Sequence, residues 1–295
     1  MTRRVVIVGD AMLDVVVRPL APLAPTSDTP ARVRVGRGGS AANLAVALRQ
    51  AGADDVEIVF AGVAGRDAAS QIVGRDLEEA GVLAHLALIE GSTGVVVSLV
   101  SHGGERAMMT ERGVNGSLSF EHVAEVIDES LVHLHVSGYT VLDEDTRAVV
   151  PRLLAAAAQR GATSSVDVCS VGPLQSVGPS VFQAAVEEAT MLFANEEEAL
   201  VLAGTDDIDA ALVSLSRRWR EVVITRGSRG AMARRGDDVV AVMARGADVV
   251  DTTGAGDCAT GTYLAHRLGG SDLMTSLRLA MDAAALVVRG LGSRG

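Results

Sequence analysis

The sequence predicts an α/β fold: a mainly parallel central sheet with helices on both faces, and a small β-sheet lid. Three observations carry this. Short apolar runs such as Val5–Val8, Val56–Phe60, Leu131–Val136 and Glu221–Thr225 recur along the chain, as strands buried on both faces do. Helix-length segments alternate with them, which predicts right-handed βαβ units. The alternation breaks once, where Thr93–Val100 and Arg106–Thr110 flank His102-Gly103-Gly104-Glu105 and read as a hairpin.

The elements follow in order. Val5–Val8 ends at Gly9-Asp10. Ala11–Val17 carries Asp14, and Ala31–Val35 alternates Arg32 and Arg34 with Val33 and Val35 as a half-exposed strand. With the hairpin these give lid segments at about 11–18, 31–36, 93–101 and 106–111 of a single domain spanning 1–295. Gly36–Asn43 is a glycine-rich entry to a helix stopped at Gly52. Its glycines suit either a packed turn or close approach of a small ligand. Strand Val56–Phe60, helix Ala68–Ala80 and strand Val82–Leu88 come next. After the hairpin the rhythm resumes with helix Glu121–Glu129, strand Leu131–Val136 and a loop at Ser137–Tyr139. Helix Thr146–Arg160, strand Thr163–Val168 and the loop Cys169–Gly178 follow, then helix Val181–Glu188 and strand Met191–Phe193. Asn195 and Glu198 share a face of the helix that starts there. Three glutamates suit a helix N-terminus by charge alone, or Glu198 holds Mg²⁺ through water. Strand Glu221–Thr225 ends in a glycine turn, Arg226–Gly230, before a second hairpin at Ala231–Arg234 and Val239–Val242. Ala247–Val250 is strand-like, and helices follow over Cys258–Leu268 and Thr275–Val288.

Composition excludes several classes. The 295 residues are 48% hydrophobic and 2% aromatic, so the core is aliphatic and there is little with which to stack nucleic-acid bases. A net charge of −11 repels polyanions. All 26 cationic residues are Arg, which rules out a Walker A lysine and a Schiff base. Two distant cysteines form neither a disulfide framework nor a metal spacing. No apolar run is long enough to span a membrane and no signal peptide is evident, so a cytoplasmic protein is expected. His133 and His135 share a strand face with no third ligand nearby, and read as structural histidines.

The most informative stretch is Asp251-Thr252-Thr253-Gly254-Ala255-Gly256-Asp257. Small residues at a strand-to-helix turn aim backbone N–H groups and the helix dipole at one spot, which suits an anion. A carboxylate beside that spot makes sense as the base that takes a proton from a hydroxyl attacking a phosphoryl group.

This stretch resembles the C-terminal signature of the ribokinase-like (PfkB) carbohydrate kinase family. Gly38–Asn43, Gly62–Asp67, Thr93-Gly94 with the hairpin, Asn195 with Glu198, and Thr225–Gly230 resemble further family segments in the same order, over almost the whole chain. The resemblance implies a Rossmann-like α/β core with a β-lid, and ATP-dependent phosphorylation of a hydroxymethyl group on a sugar or sugar-like substrate. It makes Asp257 the base and the amides of Gly254, Ala255 and Gly256 the anion hole. Asp14, Gly38, Gly39 and Asn43 would hold the acceptor. Asn195, Thr225, Gly227, Gly230, Gly256 and Asp282 would border the nucleotide, with Glu198 on Mg²⁺. Asp251 and Thr253, with the 290–293 loop, mark a K⁺ site. Two departures, Ser40 for the lysine of ribokinases and Gly138 for an acid of many sugar-binding members, speak against ribose. A nucleoside kinase of the same fold and a non-catalytic ligand sensor are the competing readings; no aromatic stands near Asn43 or Asp14 to stack on a purine, which leans against a nucleoside, with Phe120 and Tyr139 the aromatics that could still reach the site. A lid apolar on both faces needs an outside partner, so a homodimer through the lid is expected.

Overall fold

The computed structural model describes residues 2–100, 106–246 and 254–289. In chain order it runs β1 (Arg3–Val8), β2 (Met12–Pro19), β3 (Ala31–Gly38), α1 (Ser40–Gln50), β4 (Val56–Gly65), α2 (Ala68–Glu79), β5 (Leu83–Ile89), β6 (Gly94–Val100) and β7 (Arg106–Glu111). It continues with α3 (Phe120–Ala124), β8 (Leu131–Ser137), α4 (Gly138–Leu142), α5 (Glu144–Arg147), α6 (Val149–Gln159), β9 (Thr163–Asp167), α7 (Val171–Val177) and α8 (Pro179–Ala185). Then come β10 (Met191–Asn195), α9 (Glu196–Ala203), α10 (Ile208–Leu215), β11 (Glu221–Thr225), β12 (Ala231–Arg235), β13 (Asp238–Val242), α11 (Ala255–Leu268) and α12 (Leu273–Val288).

The main sheet has nine strands in the order β13-β12-β11-β10-β9-β8-β1-β4-β5. From β11 to β5 every neighbour is parallel, and β12 and β13 add an antiparallel edge. From β1 the chain moves outward through β4 to β5, and from β8 outward the other way. The switch therefore falls between β1 and β8, where open α/β sheets form a ligand crevice beyond the strand C-termini. One core, with Leu134, Val136, Leu153, Phe182 and Trp219, lies on one face. A second, with Ile7, Leu44, Phe60, Tyr263 and Leu277, lies on the other. Leu44 and Leu153 are wholly buried, and truncating either to Ala costs about 2–5 kcal/mol.

The remaining four strands form a separate sheet in the order β3-β2-β6-β7. It is tied to the core at its stem. Asp67 caps α2 through the Ser70 amide and also accepts from the Thr93 amide and hydroxyl. Those bonds hold its carboxyl below the usual range despite burial. A Cβ on Gly65 would collide with the Gly91 carbonyl. The Gly62–Asp67 segment is thus a clamp on the approach to β6.

Several elements differ from the sequence reading. The expected helix over Glu121–Glu129 stops at Ala124; beyond it the Val126 and Ile127 amides donate three residues back, and Asp128 accepts from the Ser130 amide and hydroxyl in the following turn. The helix expected from Thr146 to Arg160 divides at Ala148. Helix α4 starts in the expected loop at Ser137–Tyr139 and runs on to Leu142, and the loop at Cys169–Gly178 contains α7. Helix α10 was not anticipated, although Ile208, Ala211, Leu212 and Leu215 follow helical spacing behind an Asp207 cap. The strand-like run Ala247–Val250 lies outside the described residues.

Candidate active site

A cleft of about 690 Å³ opens at the C-terminal ends of β1, β8, β9, β10 and β11, with the small sheet over it. Asp10, Tyr139, Asp167, Asn195 and Thr225 line it from the strand ends, and Asp14, Val96, Met108 and Thr110 from the small sheet.

Helix α11 starts at the cleft with Gly254 as its cap residue, at φ 72°. No side chain among the described residues caps this end. The first amides of a helix have no partner within it; here they are those of Ala255, Gly256 and Asp257. Gly256 and Asp257 line the cleft. Among the described residues a Cβ at Gly254 or Gly256 would meet nothing within 4 Å, so no described side chain packs against these glycines.

Asp257, the third residue of α11, is tied to a different helix. Its Oδ1 accepts from the Ser40 hydroxyl at 2.7 Å and its Oδ2 from Asn43 Nδ2 at 3.2 Å. Both donors sit in the first turn of α1. That meeting depends on close helix packing, since a Cβ on Gly261 would stand 2.6 Å from the Leu44 carbonyl and 2.8 Å from the Ala47 Cβ. Asn43 is held in turn by Arg37 Nη1 at 2.6 Å. Burial raises the Asp257 pKa above the ordinary carboxylate value, while Ser40, Asn43 and the Arg37 charge pull it back in part.

Glu198 is the third residue of α9 and is spent locally. It accepts from the Asn195 amide at 2.8 Å, and Asn195 Oδ1 accepts from the Glu198 amide at 2.9 Å. This is a complete capping box. Both residues still line the cleft, and the sequence reading did not anticipate their neighbour Asp167. Burial, then the charges of Glu198 and Asp257, push Asp167 well above the usual carboxylate range. Burial also raises Glu198. Buried carboxylates that disfavour one another are an oxygen donor set short of positive charge, which fits a hard divalent cation such as Mg²⁺.

The other expected residues divide between cleft and periphery. Asp14, Gly39, Asn43, Asn195 and Thr225 line the cleft, while Gly38, Gly227, Gly230 and Asp282 do not. Gly38 lies under the Asp14 carboxylate, where a Cβ would collide with it. Gly39, at φ 89°, has its Cβ position 2.5 Å from the Asp10 carbonyl. Gly230, at φ 91°, closes the turn after β11 against Val242. Asp282 pairs with Arg245 at 2.8 Å. Asp251, Thr253 and the 290–293 loop lie outside the described residues. Tyr139 lines the cleft, but Phe120 lies beneath Arg152 instead.

The structure adds groups with no clear sequence signal. Arg112, leaving β7, donates from Nε and Nη2 to Asp10 at 2.9 and 2.7 Å, and also pairs with Asp143. Cys169 sits in the cleft at φ 71°, the one non-glycine in the left-handed region among the described residues. Its thiol lies 3.4 Å from the Ser137 hydroxyl, and burial pushes its pKa up. His133 and His135 are buried and share Ser165 Oγ, each at 2.8 Å. Burial lowers their pKa values to about 4 and about 3, so both are neutral hydrogen-bonding core residues.

Known proteins resemble this one throughout. The description "pfkB family carbohydrate kinase" matches residues 2–295. The chain is 32% identical to the ATP-dependent ribose-1-phosphate kinase of Halopiger xanaduensis, over 99% of this chain and 94% of that one. A probable sugar kinase from Rhizobium etli superposes with a TM-score of 0.88 at 25% identity, covering 100% of this chain and 96% of the other. A putative ribokinase II from E. coli, in complex with ATP and Mg²⁺, superposes with a TM-score of 0.84 at 22% identity, covering 100% and 94%.

Proposed function

The chain belongs to the pfkB family of carbohydrate kinases, and from that premise we propose that it transfers the γ-phosphoryl group of ATP to a hydroxymethyl group of a small sugar. One observation carries the reading: Asp257 turns from its own helix to Ser40 and Asn43, which orient it, and stands beside helix-start amides that no side chain among the described residues caps. Asp257 takes the acceptor's hydroxyl proton as the oxygen forms its bond to phosphorus and the bond to the ADP oxygen breaks. The amides of Gly254, Ala255 and Gly256 face the charge on the moving phosphoryl group. Glu198 and Asp167 would hold Mg²⁺, which when bound neutralises charge on the phosphates. Asn195 and Thr225 border the nucleotide, with Gly227, Gly230 and Asp282 further out. Asp14, Gly38, Gly39 and Asn43 shape the acceptor end. K⁺ at Asp251, Thr253 and the 290–293 loop completes the reading, and dependence of the rate on K⁺ checks it.

The acceptor favoured here is a pentose phosphate, the substrate class in the name of the Halopiger relative. A nucleoside is the second reading, because Tyr139 offers an aromatic ring to the cleft. A panel of pentoses, pentose phosphates, sugar acids and nucleosides with ATP and Mg²⁺ tests both. Acceptor-dependent ADP formation is expected, and its absence across the panel would overturn the kinase reading in favour of a ligand sensor.

We also propose a cytoplasmic homodimer that engages neither nucleic acid nor membrane. No helix among the described residues is long and apolar enough to cross a membrane. By register Val15, Val17, Val33, Val35 and Val97 share the outer face of the small sheet, with Val33 59% and Val35 48% exposed. The sequence predicts a lid apolar on both faces; the side that faces the cleft carries Arg34, Arg32 and Arg18 instead. The mass in solution decides the dimer; a monomer at micromolar concentration would rule it out.

A further inference from the structure

Directly opposed residues on neighbouring strands point to the same face of a sheet. In the small sheet Asp14, Val96 and Thr110 form one such row, and all three line the cleft. The next row on that face is Arg34, Val16, Ser98 and Met108, of which Met108 also lines the cleft. The row beyond sets Arg32 opposite Arg18. A basic track therefore climbs from Asp14 along the side that faces the cleft. Each step is two residues, or roughly 7 Å, within the reach of an arginine side chain. Asp14 is opposed on β3 by Gly36, so no β3 side chain stands between it and Arg34.

The arginines differ in what they are already bound to. Arg112, at the cleft, is held by Asp10 and Asp143, two carboxylates to one guanidinium. Arg37 is bonded to Asn43 and feels the charges of Asp76, Asp14 and Asp257. Asp76, the acid nearest Gly36, accepts from the Arg37 amide and pairs with Arg75. Arg34 and Arg32 are exposed, and no carboxylate among the described residues pairs with either. With Asp10, Asp14, Asp143 and Asp257 lining the acceptor end, an anionic acceptor is repelled unless its charge reaches cations beyond them.

We infer that Arg34, backed by Arg32, is the anion subsite for the acceptor, which carries a phosphomonoester remote from the hydroxyl that meets Asp257. The inference rests on the kinase reading above and names the residues that would select a phosphorylated acceptor. A guanidinium on a phosphate makes charge-assisted hydrogen bonds in a fixed fork. Losing such contacts raises KM with kcat unchanged, because they act equally on the ground and transition states.

The test compares wild type with Arg34→Ala and Arg32→Ala, both exposed positions, on ribose 1-phosphate and on ribose. Calorimetric binding of ribose 1-phosphate without ATP is measured in parallel. Wild type is expected to prefer ribose 1-phosphate. Arg34→Ala should raise its KM about 10- to 100-fold, with KM for ATP and turnover of ribose unchanged. Arg32→Ala should act in the same direction, and less. Equal losses on both acceptors, a rise in KM for ATP instead, or a wild-type preference for ribose would overturn the subsite. If wild type turns over no acceptor yet binds ribose 1-phosphate through Arg34, the kinase reading fails and the subsite stands. If ribose is phosphorylated and Arg34→Ala changes nothing, the kinase reading stands and the subsite fails.

Discussion

Helices α9 and α11 start alike and end up with different tasks. Each follows the C-terminal edge of the sheet, each opens on the cleft, and each carries a carboxylate as its third residue, Glu198 and Asp257. Glu198 turns back onto its own helix and, with Asn195, satisfies both ends of a capping box. Asp257 turns away, to Ser40 and Asn43 on α1, and among the described residues no side chain caps its helix. A capped helix start is a stable joint whose donors are occupied. An uncapped one keeps donors and a positive dipole end for a ligand. The contrast also separates the two acids chemically, since Asp257 is held by donors from another helix and Glu198 mainly by its own backbone.

The largest expected effect breaks the α11 side. Asp257→Asn should keep ATP binding and lose kcat by roughly 10²- to 10⁴-fold, the usual worth of a general base. Single-turnover kinetics beside nucleotide-binding measurements check it; unchanged turnover would remove Asp257 from the chemistry. The pH profile carries the same signature. The proposed base Asp257 would take a proton only when ionised, and burial raises its pKa. The acid limb of kcat/KM should therefore lie above the ordinary carboxylate range. For stability the sign runs the other way. With its folded pKa above the unfolded value, the native state binds the extra proton, so this group's contribution declines as pH rises through that window. The Asn variant should then be no less stable than wild type at neutral pH, as a melting curve would reveal.

A smaller effect sharpens the α9 side. Glutamine serves in a capping box as well as glutamate, so Glu198→Gln preserves the joint and removes the charge. Its melting temperature should match wild type while the Mg²⁺ needed for half-maximal rate rises about 10- to 100-fold. An unaltered Mg²⁺ dependence would reduce Glu198 to a cap. The smallest effect is Asn195→Ala, which removes the cap for about 1 kcal/mol, or roughly 2–4 °C in a chain of this size. A change in calorimetric melting much beyond that would show that Asn195 supports more than its own helix.

Much of this was legible before folding. The parallel sheet could be read from the apolar runs ending in glycine, because burial on both faces demands unbroken hydrophobicity. The small sheet could be read where that rhythm failed. Asp257 and its glycines stood out because a carboxylate beside an anion site is costly without a purpose. Other features had no local signature. Helix α7 holds Gly172 and Pro173 and buries only Leu174, so no periodicity announces it. Asp167 reads as any acid ending a strand, and what sets it apart is the charge of Glu198 and Asp257 reaching it from the starts of α9 and α11. The Arg112 bridge joins residues 102 and 31 positions apart.

The sequence by itself determined the alternation of strand and helix, the small residues at the start of α11, and the absence of lysine that leaves amides, arginine and metal to neutralise phosphate. Those are consequences of local chemistry. Only the tertiary structure decided that Asp257 answers to Ser40 and Asn43 more than two hundred residues away. It alone showed that Glu198 is held as a cap, and that Arg34 shares a face with Asp14 while Arg112 is already neutralised. The reason is that register and helix packing, which no short stretch contains, set which donor meets which acceptor.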